Sequence, residues 1–218
     1  MKSGVLDAIA AARLLPVVVI ADARAGLPLA TALKRGGLRL AEITLRTGAA
    51  EAAIRAMAAD PEMTVGAGTV LTAAQAARAI DAGARFIVTP GFSLEVVQQC
   101  QARSVPVFPG VATASELMAA HAAGIDTVKF FPAEQLGGLR MLHALAAPFG
   151  EMRFIPTGGI TAATLADYLR LSAVVAVGGS WMVAASLIGA GNFDEITRLT
   201  ADAVAIAEAS SAMRAPWP

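Results

Sequence analysis

Cysteine and histidine are scarce in this chain of 218 residues. Cys100 is the only cysteine, and His121 and His143 are the only histidines. A single cysteine cannot form an internal disulfide, and a zinc cluster rich in cysteine or histidine cannot be built from this set. We therefore expect no internal disulfide and no zinc site rich in cysteine or histidine.

An excess of charge of one sign is also lacking. Seventeen Lys and Arg residues balance seventeen Asp and Glu residues, so the formal net charge at pH 7 is zero. Nucleic-acid binding usually depends on a basic excess, so nucleic acid is not an expected partner. With 16% charged and 56% hydrophobic residues and a mean hydropathy of +0.61, the composition excludes disorder. The length fits a single domain over residues 1–218.

One uncharged stretch, residues 171–192, is long enough to span a membrane. The glycines at 178 and 179 interrupt it, and this favours a buried strand that ends in a glycine turn, followed by a short amphipathic segment. We therefore expect no membrane partner. The first residues lack a secretory signal, and 4–12 resemble a surface helix. We expect a cytoplasmic protein, with 210–218 as a loose tail.

Eight apolar runs alternate with Ala-rich helical stretches, and their starts are 21 to 26 residues apart. This spacing suits one strand, one helix and two short loops. We predict a (β/α)8 TIM barrel with an N-terminal helix. The alternative is a doubly wound open sheet, which usually carries a Gly-rich fingerprint after its first strand, and Ala21 is followed by none. The runs are 17–21, 39–45, 64–70, 85–89, 106–111, 127–131, 153–157 and 174–177, and the helices between them include 28–35, 73–82, 93–103 and 114–123.

Lys129 is the most informative polar residue among these runs. It lies between Val128 and the aromatic pair Phe130 and Phe131, where burial would favour a neutral amine over an ammonium. A neutral amine can attack a carbonyl and form a Schiff base. A structural ion pair inside the fold explains the same residue equally well.

Glu42 belongs to an alternating segment, which places Leu40, Glu42, Thr44 and Arg46 on one face of a strand. On an inward face Glu42 could approach Lys129 and transfer protons, or it could be only a counter-ion. Arg46 suits bidentate binding of a substrate carboxylate, although it could equally be a rim residue.

Two glycine pairs follow the last two runs: Gly158 with Gly159, and Gly178 with Gly179 before Ser180. Loops at these positions, with exposed backbone N–H groups, form the phosphate site that is common in TIM barrels. The alternative is that these glycines only allow tight turns.

The motifs of the chain and their order along the sequence resemble one family, the 2-keto-3-deoxy-6-phosphogluconate (KDPG) aldolases. These are class I aldolases of the Entner–Doudoroff pathway that also act on 4-hydroxy-2-oxoglutarate (KHG). The motifs run from the second strand to the last and cover almost the whole chain. They are EITLRT at 42–47, VGAGTVL at 65–71, TPG at 89–91, VKFFPAE at 128–134, FIPTGGI at 154–160 and VGGSW at 177–181.

The resemblance implies a role for each matching residue. Lys129 would be the Schiff-base lysine and Glu42 the general acid and base, with no cofactor and no metal. Such a protein would be a homotrimer acting on a small 2-oxo acid sugar phosphate. The substrate-binding residues would be Arg46 and Thr69 at the pyruvyl carboxylate, Thr157 near the hydroxyls, and Pro90 and Phe131; the phosphate-binding residues would be Gly158, Gly159, Gly178, Gly179 and Ser180.

Other functions stay open at this point. A sister family that cleaves the galactonate epimer resembles the chain less, because it has a Pro-Leu core after its glutamate, where this chain has Ile43, Thr44 and Leu45. Ala112 stands where KDPG aldolases often have serine, which leaves the fine substrate preference open. A phosphate-binding barrel isomerase or synthase would share the glycine loops without using Lys129 as a nucleophile. A non-catalytic sugar-phosphate sensor would need neither Lys129 nor Glu42 in a reactive state.

Overall fold

The computed structural model describes residues 2–211, in which strands and helices alternate along the chain. The strands are β1 Leu14–Val18, β2 Leu40–Thr44, β3 Thr64–Gly68, β4 Ile87–Val88, β5 Val107–Phe108, β6 Gly110–Val111, β7 Thr127–Phe130, β8 Arg153–Pro156 and β9 Val177–Gly179. The helices are α1 Lys2–Ala12, α2 Gly26–Arg35, α3 Ala50–Ala58, α4 Ala73–Asp81, α5 Leu94–Ala102, α6 Ala114–Ala122, α7 Gly138–Ala146, α8 Ala162–Arg170, α9 Ala185–Gly189 and α10 Phe193–Ser211.

The prediction of a closed eight-stranded TIM barrel is wrong. The described strands form a six-stranded sheet in the order β5-β4-β3-β2-β1-β9 and a separate three-stranded sheet in the order β6-β7-β8. All the pairings are parallel, so the fold stays in the α/β class. The alternation of strands and helices was therefore predicted correctly, but the continuous closure of the sheet was not.

Two local features separate the sheets. Pro109 lies between β5 and β6, and a proline without an N–H group breaks the ladder of the fifth predicted run. On the other side, only the isolated bridges Phe154↔Val174 and Thr157↔Gly178 join β8 to the last run. The sequence separation grows by one residue between these two bridges, as a bulge requires, and a bulge disrupts a regular ladder.

The two faces of β2 support the predicted alternation. Ala41 and Ile43 belong to the large core under the helices, whereas Leu40 belongs to a second core between the sheets. This second core also contains Leu15 and Phe108 of the large sheet and Ile155 of the small one. The side chains of Glu42 and Lys129 meet on the same inner side of the fold.

Helix α1 is less of a surface helix than its sequence indicates. Val5 and Ile9 are buried and belong to the core between the sheets, so one face of α1 covers the inner apolar side chains. At the other end of the chain, α10 runs to Ser211, and the rest of the predicted tail lies outside the described residues.

The uncharged stretch 171–192 divides into β9, a 310 turn over Trp181–Val183 and the short helix α9. Within residues 2–211, no helix combines the length and the apolar character that crossing a membrane requires.

Candidate active site

Lys129 and Glu42 meet at the centre of the molecule. Lys129 Nζ in β7 donates a hydrogen bond to Glu42 Oε1 in β2 over 3.2 Å, and the two side chains are 7% and 1% exposed. The contact joins the small sheet to the large one. A buried ion pair of this kind contributes little net stability, because both charges must leave water, so its presence favours a functional role.

The glycines of β3 make room for two side chains, Glu42 and Phe86. A Cβ atom on Gly68 would lie 2.6 Å from Glu42 Cδ, and a Cβ on Gly66 would overlap the ring of Phe86. The Glu42 carboxylate therefore occupies the volume that any other residue at position 68 would fill. Close packing on Glu42 and Phe86 therefore explains the two glycines of the VGAG segment.

Glu42 retains one free acceptor. Its Oε2 atom is buried, and no donor among the described residues hydrogen bonds to it. A buried acceptor without a partner is costly unless a ligand or water satisfies it. On the other side of the pair, Lys129 Nζ lies 5.2 Å from the centre of the Phe131 ring, within range of a cation–π interaction.

A cavity of about 220 Å³ opens beside Lys129 at the carboxyl ends of the strands, where parallel α/β sheets bind ligands. Nine of the twelve predicted site residues line it, together with Val17, Val19 and Ile160. Two other cavities, of about 260 and 460 Å³, are larger but contain none of the predicted site residues. The nine are Arg46, Lys129, Phe131, Thr157, Gly158, Gly159, Gly178, Gly179 and Ser180.

The two glycine pairs that line this cavity are required by the fold for different reasons. Gly158 and Gly159 have φ angles of +104° and +80°, in the left-handed region that favours glycine. A Cβ on Gly178 would overlap Thr157, and one on Gly179 would overlap the ring of Trp181. These backbone and packing requirements explain all four glycines without any ligand. The loops that they form also line the cavity, where they could bind one.

Three predicted residues lie outside the lining of this cavity. Glu42 contacts Lys129 but does not itself line the cavity. Thr69 follows β3 and has a φ angle of +56°. Pro90 follows β4 and lies against Gly110, where an added Cβ would overlap the Pro90 carbonyl. The cavity brings nine of the predicted residues together, and the roles of all twelve stay predictions.

Cys100 offers no competing nucleophile. It is fully buried in α5, and burial raises its pKa to about 12, so the thiol keeps its proton at neutral pH. Across the part of the chain that the structure describes, no group of three or more His, Cys, Asp and Glu side chains is placed to hold a metal ion.

Sequence reasoning missed one polar pair beside the site. The Tyr168 hydroxyl in α8 donates to Glu134 Oε1 over 2.6 Å, and Glu134 follows the strand of Lys129. Glu134 closes the VKFFPAE motif, so it could have been noticed. Its partner Tyr168 lies 34 residues further on and gives no local signal.

In three comparisons with known proteins, the chain matches KDPG and KHG aldolases. The sequence model of KDPG and KHG aldolase matches residues 5–199. The 2-dehydro-3-deoxy-phosphogluconate aldolase of Treponema pallidum (strain Nichols) is 47% identical over 90% of this chain and 94% of that protein. The 2-keto-3-deoxy-6-phosphogluconate aldolase of Zymomonas mobilis ZM4, solved with 3-phosphoglycerate, is 40% identical with a TM-score of 0.89, over 94% of this chain and 97% of that one.

A further solved structure bears on the chemistry. KDPG aldolase from Legionella pneumophila, with pyruvate captured at low pH as a covalent carbinolamine intermediate, is 41% identical to this chain with a TM-score of 0.87. The match covers 90% of this chain and 96% of that one.

Proposed function

The chain belongs to the KDPG and KHG aldolase family, and we propose that Lys129 and Glu42 carry out its reaction. It is a class I aldolase, a carbon–carbon lyase that cleaves KDPG to pyruvate and glyceraldehyde 3-phosphate. We extend the proposal to KHG, which would give pyruvate and glyoxylate. The observation that carries the residue assignment is the buried contact between Lys129 Nζ and Glu42 Oε1 beside the cavity.

The reaction begins with imine formation. Glu42 takes a proton from Lys129, and the neutral amine attacks the C2 ketone of the substrate to form a carbinolamine. Glu42 returns the proton to the C2 hydroxyl, which leaves as water, and a protonated imine remains. Arg46 at the cavity rim and Thr69 hold the adjacent carboxylate.

Cleavage of the C3–C4 bond follows, with the imine as the acceptor of electrons. Glu42, through its free Oε2 atom, takes the proton of the C4 hydroxyl while the bonding pair moves into the imine. Glyceraldehyde 3-phosphate leaves, and the enamine on Lys129 takes a proton at C3. Water then hydrolyses the resulting imine, which releases pyruvate and regenerates the amine of Lys129.

The glycine loops supply binding energy away from the bond that breaks. Backbone N–H groups of Gly158, Gly159, Gly178 and Gly179, with the Ser180 hydroxyl, would bind the phosphate. Thr157 would lie near the substrate hydroxyls, and Phe131 and Pro90 would line the substrate. Remote binding of this kind positions the reacting centre.

The other candidate functions use less of this site. A phosphate-binding isomerase or synthase would use the glycine loops but not an amine nucleophile, and a sensor would use neither Lys129 nor Glu42. Burying a lysine and a glutamate together is costly in either case, and the membership of the aldolase family supports the use of both.

Direct assay tests the proposal. We expect the purified protein to convert KDPG to equal amounts of pyruvate and glyceraldehyde 3-phosphate, each measured with a coupled dehydrogenase. We also expect the rate to be unchanged by a chelator, because the imine provides the electron sink that a metal supplies in other aldolases. Activity that is lost with the chelator and restored by a divalent ion would contradict the metal-free mechanism.

Ser180→Asp tests the phosphate site. Ser180 is exposed to solvent but lines the cavity, so a carboxylate there should repel the substrate phosphate and lower kcat/KM for KDPG by roughly tenfold, which corresponds to about 1.4 kcal/mol. Cleavage of KHG, which has no phosphate, should change much less. The matched control is Ser186→Asp, because Ser186 is exposed in α9 and does not line the cavity. Equal losses for both substrates at Ser180 would mean that the loop is only structural.

The remaining expectations go beyond the family assignment. The resemblance supports a homotrimer and a preference for the gluconate over the galactonate epimer, whereas a cytoplasmic location is the default expectation from the sequence. We keep all three as predictions.

A further inference from the structure

The segment after the strand of Lys129 runs beside the first glycine loop. The N–H group of Ala133 donates to the Thr157 carbonyl over 2.8 Å, and that of Glu134 donates to the Gly158 carbonyl over 3.0 Å. Residues 133–134 are thus attached to the loop that follows β8. A change in the position of one segment would therefore move the other.

The Glu134 side chain packs directly on this loop. A Cβ on Gly159 would lie 2.6 Å from Glu134 Cβ and 2.8 Å from its Cγ. Gly158 is almost as close to Pro132, whose Cα would lie 3.2 Å from an added Cβ. Gly158 and Gly159 both line the cavity, so Glu134, a solvent-exposed residue, packs against one of its walls.

A hydrogen bond from Tyr168 fixes the end of that side chain. The Tyr168 hydroxyl donates to Glu134 Oε1 over 2.6 Å, the length of a charge-assisted hydrogen bond to a carboxylate. Tyr168 is 1% exposed. Burial and the neighbouring Glu134 raise its pKa above the usual value, so the hydroxyl keeps its proton throughout the neutral range.

A glycine at the start of α7 leaves room for this hydrogen bond. A Cβ on Gly138, at the start of α7, would lie 3.2 Å from the Tyr168 hydroxyl oxygen and 3.5 Å from Glu134 Oε1. Tyr168 belongs to α8, the helix that follows the Gly158 and Gly159 loop. The loop is therefore held at its start by the backbone of 133–134 and, beyond its end, by the Tyr168 to Glu134 hydrogen bond.

We propose that Glu134 and Tyr168 are positioning residues, which hold the Gly158 and Gly159 loop in the form that receives the substrate phosphate without touching the substrate. The inference rests on the proposed function of that loop. It predicts a selective effect: binding of the phosphorylated substrate should depend on the pair, whereas imine formation with pyruvate should not.

Tyr168→Phe is the main test, because it removes one hydroxyl and keeps the packing of the ring. We expect kcat/KM for KDPG to fall about tenfold, as loss of a hydrogen bond to a charged group implies, with most of the change in KM. KHG cleavage and the rate of borohydride trapping with pyruvate should stay within about twofold of the unsubstituted protein. The matched control is Ser210→Ala, which removes a buried hydroxyl that donates to the Ile206 carbonyl in α10. This substitution should leave kcat/KM unchanged for both KDPG and KHG.

Glu134 variants provide a second measurement that does not depend on the folding of Tyr168→Phe. Glu134→Gln keeps an oxygen that can accept from Tyr168 and should retain more KDPG activity than Glu134→Ala. A protein with no KDPG cleavage before substitution would reject the proposed function itself. If the unsubstituted protein cleaves KDPG, equal losses for KDPG and KHG, or no loss for either, would reject only the positioning role.

Discussion

Borohydride added in the presence of pyruvate is expected to attach one reduced pyruvate to Lys129, because only an imine is reduced to a stable secondary amine. Peptide mapping by mass spectrometry locates the adduct. The chain has only three lysines, Lys2, Lys34 and Lys129, so the assignment is unambiguous. Lys129→Arg should lose the adduct and reduce KDPG cleavage to the background rate, since arginine keeps the positive charge beside Glu42 but offers no neutral amine.

Lys34→Arg is the matched control for this experiment. Lys34 Nζ lies 2.5 Å from Asp60 and 3.0 Å from Glu62, and these hydrogen bonds raise the pKa of Lys34. A higher pKa keeps Lys34 as an ammonium ion, which is not a nucleophile. The substitution should therefore leave trapping and cleavage unchanged. An adduct on Lys34, or full activity in folded Lys129→Arg, would remove Lys129 from its assigned role.

The inner face of β2 shows what a sequence can predict about this site. Alternation along residues 40–46 separates side chains by face, and it correctly directs Glu42 inward and Ile43 under the helices. The identity of the partner could only be a hypothesis, because Glu42 and Lys129 are 87 residues apart and no local pattern connects them.

Closure of the sheet was harder to predict for a physical reason. A count of eight apolar runs does not show whether every neighbouring pair forms a continuous ladder. That depends on single residues, such as Pro109 without its N–H group, and on a one-residue change in register between β8 and the last run. Both features are local, and both lie within runs that otherwise have the composition of regular strands.

The prediction of a surface helix at residues 4–12 was incomplete for a different reason. Val5 and Ile9 are four residues apart, which predicts one apolar face, but the sequence does not show where that face packs. In the structure the two side chains cover the core between the sheets. Tertiary packing therefore decides whether such a helix lies on the surface or closes an end of the fold.

Glu42→Gln should lower kcat for KDPG by about 10²- to 10⁴-fold, the range for loss of a general acid or base. The amide has nearly the shape of the carboxylate and can still accept a hydrogen bond from Lys129, so the binding cavity should persist and KM should change little. What the amide cannot do is take a proton from Lys129 or from the C4 hydroxyl. Exchange of the pyruvate methyl protons with D₂O, followed by NMR, should slow as well, because enamine formation also requires proton transfer.

Glu62→Gln makes the same substitution away from this chemistry. Glu62 is half exposed, pairs with Lys34 and Arg39 and precedes β3, at the opposite end of the strands from the cavity. Its kcat should be unchanged even if the protein loses some stability. Cleavage by folded Glu42→Gln within about threefold of the unsubstituted protein would show that Glu42 serves only as the counter-ion of Lys129. In that case the buried and unpartnered Oε2 atom would have no part in breaking the C3–C4 bond, and another base would have to be found among the residues that line the cavity.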